Sequence, residues 1–244
     1  VLPWERVMAE NPDAAPELIL HGGRIHRMDR RRQRVEALAV RGGRIVASGD
    51  DRRILALKGP NTRVVDLSGR TVIPGLNDSH THLIRGGLHY NLELRWDGVP
   101  SLAIAMRMLK EQAARTPAPQ WIQIVGGFSV HQFAEKRLPT LDELNEAAPD
   151  TPVYLLNVYD RALLNRAALR AIGWTRDTPD PPPGGVIERD RRGNPTGVVI
   201  AKPGPRILLQ TLALAPRLSF DDELNSTRQF MREYNRLGVT SAAD

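Results

Sequence analysis

The run from Thr71 to His82 constrains the fold of this chain more than any other segment. Apolar residues, among them Val72 and Ile73, lead through a Pro-Gly pair to His80 and His82, which stand two positions apart. Side chains on an extended segment alternate in direction, so the two imidazoles are predicted to project from the same side. Neutral imidazole binds divalent metals well, and we therefore predict that His80 and His82 bind one metal ion.

Short alternating segments precede this run, and glycine-containing turns separate them. The segments cover residues 18–25, 37–49 and 62–70, and Gly-Gly pairs interrupt the first two. Such a pattern is typical of β-rich structure.

Predicted strands and helices alternate after His82. Ser101 fits the N-cap of one helix, and Thr140 with Glu143 forms the capping box of another. The predicted strands cover 121–127, 152–159, a hairpin of 186–190 with 196–200, and 239–243, and further helices cover about 161–172 and 219–237. This alternation predicts a parallel sheet or barrel.

Residues 72–82 read V-I-P-G-L-N-D-S-H-T-H. This motif resembles the first-strand motif of the amidohydrolase superfamily, and segments 178–190 and 237–244 narrow the resemblance to its N-substituted formamide deformylase-like branch. The resemblance implies an α/β fold in which a (β/α)8 TIM barrel follows a small β-sandwich. We assign residues 1–74 to the N-terminal part of the sandwich domain and residues 75–244 to the N-terminal part of the barrel.

The barrel is predicted to be incomplete. At about 30 residues per βα unit, residues 75–244 hold about five or six of the eight units. All six histidines lie within the first 131 residues, whereas the resemblance implies later ligands on the fifth, sixth and eighth strands. We do not expect Asp244 to replace them. The chain also begins with Val1, and we expect a fragment of a longer enzyme, with little or no activity alone.

The resemblance also implies hydrolysis of a C–N bond in a small amide-type substrate by metal-activated water. The expected cofactor is a divalent metal, with zinc favoured and one or two ions both open. Lys202 follows an apolar strand, where many members of the superfamily carry a carboxylated lysine that bridges metals, although Ala201 replaces a glutamate of many relatives. The alternatives are that His80 and His82 make ordinary hydrogen bonds and that Lys202 faces solvent.

Two residues are candidates for substrate binding. Arg161 stands where many relatives carry a histidine, and its guanidinium suits a substrate carboxylate. The alternative for Arg161 is a salt bridge with the neighbouring Asp160. His131 follows the predicted strand at 121–127 and is a second candidate for the pocket wall. No catalytic residue is assigned.

Composition excludes several classes of protein. The net charge is +6, but the densest basic run, residues 27–34, falls between two predicted strands. It has none of the interleaved aromatics that single-strand nucleic-acid binders use, so we predict a solvated loop.

The absence of cysteine excludes disulfides and thiol nucleophiles. No apolar run reaches the length of a membrane span, and the N-terminus does not resemble a signal peptide, so we expect a cytoplasmic protein with no membrane partner. The oligomeric state stays open.

Two other functions stay open. One is a non-catalytic ligand-binding protein on a barrel scaffold, in which Arg161 marks lost chemistry. The other is a nucleic-acid-binding protein that acts through its arginines, for which a strongly salt-dependent affinity is expected.

Overall fold

The computed structural model describes residues 15–180 and 185–244. The segment before residue 15 and part of the Pro-rich stretch at 178–190 therefore lie outside the described residues. Contacts divide the chain into two compact units. The first comprises the described residues up to Ser79 together with Gly238–Ala242, and the second comprises His80–Leu237 with Ala243–Asp244.

The first unit consists mainly of short strands. Its elements are β1 (Leu18–His21), β2 (Arg24–His26), β3 (Arg34–Val35), β4 (Ala37–Arg41), β5 (Arg44–Gly49), α1 (Asp51–Leu55), β6 (Arg63–Asp66), β7 (Thr71–Val72) and β8 (Leu76–Asp78). One sheet has the order β5-β4-β1-β6 and another has the order β3-β2-β7. The division of the chain into a sandwich domain over 1–74 and a barrel domain over 75–244 stays a prediction.

The first sheet is held by a small apolar core. Ile19 of β1 is fully buried and packs with Ala37 and Ala39 of β4 and with Ile54 of α1. Helix α1 begins at an N-cap, Asp50, whose side chain accepts the Arg53 backbone N–H, which satisfies one of the free donors at the helix start. The densest basic run, residues 27–34, connects β2 to β3, and its last residue, Arg34, begins β3. The two strands pair antiparallel, so the predicted place of the run between two strands is confirmed.

The second unit mixes helices and strands. Its elements are α2 (Leu83–Gly87), a 3-10 turn (Tyr90–Leu92), α3 (Leu102–Arg115), β9 (Ile122–Ile124), a 3-10 turn (Val130–Gln132), α4 (Leu141–Ala147), β10 (Val153–Asn157), β11 (Arg161–Leu164), α5 (Arg166–Ile172), β12 (Gly185–Arg189), β13 (Pro195–Ala201), α6 (Arg206–Leu212) and α7 (Phe220–Arg236). The last strand, β14 (Val239–Ala242), belongs to the first unit and pairs in parallel with β8.

A mixed sheet forms the centre of the second unit, in the order β12-β13-β11-β10-β9. Only β9 and β10 are parallel in it, and the other neighbours are antiparallel. The predicted strands at 121–127 and 152–159 are thus parallel neighbours, and the predicted hairpin is β12 with β13, whereas β11 lies in a segment predicted to be helical. The three residues between β10 and β11 are too few for a parallel crossover, and they close a hairpin instead. The fold is mixed α/β, and the residues that the structure describes form no closed barrel.

Helix starts follow the predicted capping residues. Ser101 caps α3, and Thr140 with Glu143 forms the complete capping box of α4, as predicted. Ser219, at the start of the helix predicted over 219–237, caps α7. The predicted helix over about 161–172 is wrong in its first half, because residues 161–164 form β11. Asn165 then caps α5 through a hydrogen bond from the Ala168 N–H.

Strand β10 is buried on both faces. Leu155 packs into a core that includes Trp96, whereas Tyr154 and Leu156 point into a second core. This division follows from the alternation of side chains along a strand. Tyr154 also donates a hydrogen bond of 2.7 Å to the Leu208 carbonyl of α6. Among the described residues, no helix has both the length and the apolar character needed to cross a membrane.

Candidate metal site and its cavity

His80 and His82 lie immediately after β8, between that strand and α2. Both residues are exposed. Their ring centroids are 5.5 Å apart, with the ring planes at 82°. The strand ends at Asp78, so the predicted extended geometry does not continue through the histidines. The two imidazoles are nevertheless neighbours, as the spacing predicts.

Asp244 lies beside this pair. Its Oδ1 is 3.4 Å from Nδ1 of His82, and its Oδ2 accepts the Ile84 backbone N–H at 2.9 Å. The Thr81 N–H donates to the Ala243 carbonyl, so the two segments run side by side. The hydrogen bond from Ile84 holds the pKa of the Asp244 carboxyl below its ordinary value, with His82 adding to the effect. No local pattern in the sequence indicates this long-range contact.

The donor set fits part of a metal site. Two adjacent imidazoles and a carboxylate that touches one of them are the donors and the supporting group that zinc sites use. Within residues 15–180 and 185–244, however, no group of three or more His, Asp or Glu side chains is arranged to hold a metal ion. These residues therefore fit two donors of a site and do not by themselves complete it.

A cavity of about 470 Å³ opens next to His82. This volume lies within the range of small-molecule sites, roughly 300–1,000 Å³. One part of its wall is apolar and includes Leu88, Val125, Leu156, Leu209, Leu212 and Ala215. Another part is polar and includes Arg85, His89, Glu93, Gln123, Tyr159 and Glu223. The cavity therefore suits a ligand with both apolar and polar parts.

Glu93 is a buried acid of the cavity wall whose pKa is raised. Its side chain is 8% exposed and forms an ion pair of 3.0 Å with Arg95. Burial raises the pKa of Glu93 to about 7, although Arg95 acts in the opposite direction. The desolvation of the carboxylate outweighs its single ion pair, and Arg95 is also shared with Asp97. The carboxyl group consequently changes charge near neutral pH.

The other predicted site residues lie elsewhere on the second unit. Lys202 is exposed just after β13, and His131 is exposed in the 3-10 turn at 130–132. Arg161 is exposed and forms an ion pair of 3.0 Å with Asp160, which is the alternative considered from the sequence. None of the three is among the residues that line the cavity at His82. Their metal-binding and substrate-binding roles stay predictions.

Sequence reasoning missed Glu93 and Gln123. Gln123 is a single polar residue within the apolar segment 121–125, and a polar residue inside a buried strand is the signal that would have identified it. Glu93 lies outside regular structure and carries no comparable signal.

The chain is similar to known hydrolases. Residues 63–244 match the amidohydrolase family. The chain is 28% identical over 230 residues to an N-substituted formamide deformylase of Arthrobacter pascens, covering 93% of this chain and 42% of that protein. It is 36% identical over 192 residues to a putative amidohydrolase, YtcJ, of Bacillus subtilis, covering 78% of this chain and 36% of that protein.

A solved structure shares the fold. It is an uncharacterized metal-dependent hydrolase from Pyrococcus furiosus, with a TM-score of 0.57 and 22% identity, over 92% of this chain and 43% of that one. The chain thus spans about two fifths of the length of these relatives. With most of its length matched, the chain belongs to the amidohydrolase family.

Proposed function

We propose that this chain supplies the first metal-binding residues of a metal-dependent amidohydrolase that cleaves C–N bonds in small amide-type substrates. The observation that carries the proposal is the pair of neighbouring imidazoles, His80 and His82, at the carboxyl end of β8. His82 also lines a cavity of suitable size for a small substrate. Membership of the amidohydrolase family supports the reaction class.

The proposal includes the barrel. Strands β8 and β14 pair in parallel, as adjacent strands of a (β/α)8 barrel do, and active sites of such barrels lie at the carboxyl ends of strands. We assign β8 and β14 to an incomplete barrel and the small sheets of the first unit to part of a β-sandwich. Because the chain spans 42% and 36% of its two curated relatives, the complete site is proposed for a protein of their length, with further donors joining His80 and His82.

The residues of the site have separate tasks in this proposal. His80 and His82 hold a divalent metal, with zinc the favoured ion, and a bound metal polarises the substrate carbonyl and lowers the pKa of bound water. Asp244 accepts a hydrogen bond from Nδ1 of His82, which leaves Nε2 free to bind the metal. Apolar residues such as Leu209 and Leu212 contact the substrate body and exclude water.

Zinc binding tests the proposal directly. The affinity of the chain for zinc is measured by competition with a colorimetric chelator, for the wild type and for His80→Ala and His82→Ala. We expect one saturable site that either substitution weakens by at least about tenfold, because each removes a ligand. His26→Ala, which removes an exposed histidine of β2, is the matched control and should bind zinc like the wild type.

If His80→Ala and His82→Ala bind zinc as tightly as the wild type, the metal site is not at these residues. Hydrolysis of N-formyl and N-acyl amines is measured in the same preparations. We expect little or no turnover from these 244 residues, and robust turnover would contradict the incomplete site.

A further inference from the structure

Glu93 and Gln123 are neighbours across a β-bridge. The two residues pair in parallel, and the Leu94 N–H donates a hydrogen bond of 2.7 Å to the Gln123 carbonyl. Paired residues on neighbouring strands project their side chains to the same face. Both side chains line the cavity at His82. The backbone therefore places two hydrogen-bonding side chains together in one wall.

Gln123 has an unused acceptor. The residue is 2% exposed, and its Oε1 has no hydrogen-bond partner among the described residues. Buried polar atoms are nearly always paired, and an unpaired one costs free energy that a suitable partner recovers. A carbonyl oxygen accepts only, so the partner that it requires is a hydrogen-bond donor.

Glu93 adds acceptors at the same place. Its carboxyl group is buried, and the described ion pair with Arg95 uses Oε2. Above about pH 7 the group is ionised, and its two oxygens then offer about four lone-pair positions, so one ion pair does not exhaust its capacity. The wall formed by Glu93 and Gln123 is therefore rich in acceptors, and it favours a ligand group that brings N–H donors.

An apolar part of the cavity wall defines the body of the ligand. Leu209, Leu212 and Ala213 come from α6 and its end, and Ala215 and Pro216 follow them. These residues offer no side-chain hydrogen bond. A ligand that fits both walls has an apolar body joined to an N–H group.

We propose that the cavity beside His82 selects amides that retain an N–H, and that Gln123 Oε1, supported by Glu93, is the acceptor that recognises it. Fully substituted amides, which have no N–H, leave Gln123 unpaired and bind weakly. As a statement about substrate choice, this inference rests on the proposed hydrolysis of amides. As a statement about binding, it is tested without metal or turnover.

The test compares two probes of the same chemistry. Benzamide has two N–H donors, and N,N-dimethylbenzamide has none. The dissociation constant of each is measured by ligand-observed NMR on the full chain at pH 8, where Glu93 is mostly ionised, with a chelator present to remove metal. We expect the wild type to bind benzamide about tenfold more tightly, the ratio that corresponds to one hydrogen bond of about 1.4 kcal/mol.

Gln123→Leu removes the acceptor and keeps a side chain of similar size. We expect this variant to lose the preference for benzamide and to bind N,N-dimethylbenzamide at least as tightly as the wild type does. Gln210→Leu makes the same exchange at an exposed position of α6 and should keep the full preference.

Three results would overturn the inference. They are equal affinity of the wild type for the two amides, no saturable binding of benzamide, and a preference that persists in Gln123→Leu. The first two results require only the wild-type protein, so they test the inference even if Gln123→Leu fails to fold. The amide-binding measurements are made without metal. A negative zinc-binding result therefore does not affect their interpretation, and a negative amide-binding result does not argue against the zinc site.

Discussion

His82 and Asp244 are 162 residues apart in the chain, yet Nδ1 of His82 lies 3.4 Å from Oδ1 of Asp244. The second carboxylate oxygen accepts the Ile84 N–H at 2.9 Å, which fixes the orientation of the carboxylate. A carboxylate at Nδ1 favours the tautomer with the proton on that nitrogen and leaves Nε2 as the metal-binding atom. Asp244 is thus a positioning residue for His82 in the proposed site.

Asp244→Ala should change the tautomer of His82. Without the carboxylate, the proton of the neutral ring moves toward Nε2, and zinc affinity falls by about 10- to 100-fold. Long-range ¹H–¹⁵N NMR of the metal-free chain above pH 8 measures the tautomer directly. Asp244→Asn keeps an acceptor oxygen and should preserve much of the Nδ1–H form. An unchanged His82 spectrum in Asp244→Ala would remove this role from Asp244.

Glu93→Gln should alter how stability depends on pH. Burial raises the pKa of folded Glu93 to about 7 from an ordinary value of 4.5. Between these values the folded chain holds a proton that the unfolded chain has lost, so the free energy of unfolding falls as pH rises through this window. We expect the wild type to lose about 2 kcal/mol of its free energy of unfolding across this window. The free energy of unfolding of Glu93→Gln should depend less on pH.

Urea denaturation at pH 4.5, 6 and 8 measures this difference. Glu93→Gln should be more stable than the wild type at pH 8 and similar to it at pH 4.5, because the neutral amide resembles the protonated acid. Parallel pH profiles for the two chains would show that Glu93 ionises normally.

Glu143 should give the opposite pH dependence. Arg137 donates two hydrogen bonds of 2.8 Å to its carboxylate, and this pairing lowers the pKa of Glu143 to about 2. The resulting stability is complete above pH 4.5 and is lost as pH falls toward 2. Because the pair is partly exposed, we expect it to contribute about 1 kcal/mol to the free energy of unfolding. Glu143→Gln should remove this contribution. Urea denaturation between pH 2 and 5 checks it, and an unchanged acid slope would contradict it.

Local chemistry made several elements predictable from the sequence. Thr140 and Glu143 satisfy each other's backbone donors within one helical turn, so the pattern alone indicates where α4 begins. The predicted hairpin of 186–190 with 196–200 matches the antiparallel pair β12 and β13. His80 and His82 are likewise close in sequence, and their adjacency is confirmed.

The features that sequence reasoning missed depend on long-range pairing or on ambiguous periodicity. Residues 162–164 form a short apolar run that fits either a buried strand or a helix, and only the pairing of β11 with β10 and β13 decides it. Strand direction in the mixed sheet depends on how the connections close, which alternation along the chain does not reveal. The contacts of Asp244 and the bridge of Glu93 with Gln123 join distant segments and leave no local pattern.

The parallel pairing of β8 with β14 depends on Gly75. A Cβ at this position would overlap the side chain of Thr240, including its Cβ. Gly75→Ala must therefore displace β14 or force Thr240 from its position, and we expect a loss of about 1–3 kcal/mol in the free energy of unfolding. Urea denaturation at neutral pH measures the loss.

Two further variants separate this overlap from a general effect of replacing glycine. Gly49→Ala places its new Cβ no closer than 3.9 Å to the side chain of Arg53, an ordinary contact, so its stability should change by less than about 1 kcal/mol. In the Gly75→Ala background, Thr240→Ala removes the atoms nearest the new methyl group and should restore part of the lost stability. Because coupled neighbours are non-additive, the double variant should be more stable than the sum of the single changes predicts. Strict additivity of the two changes would show that Gly75 and Thr240 do not pack together.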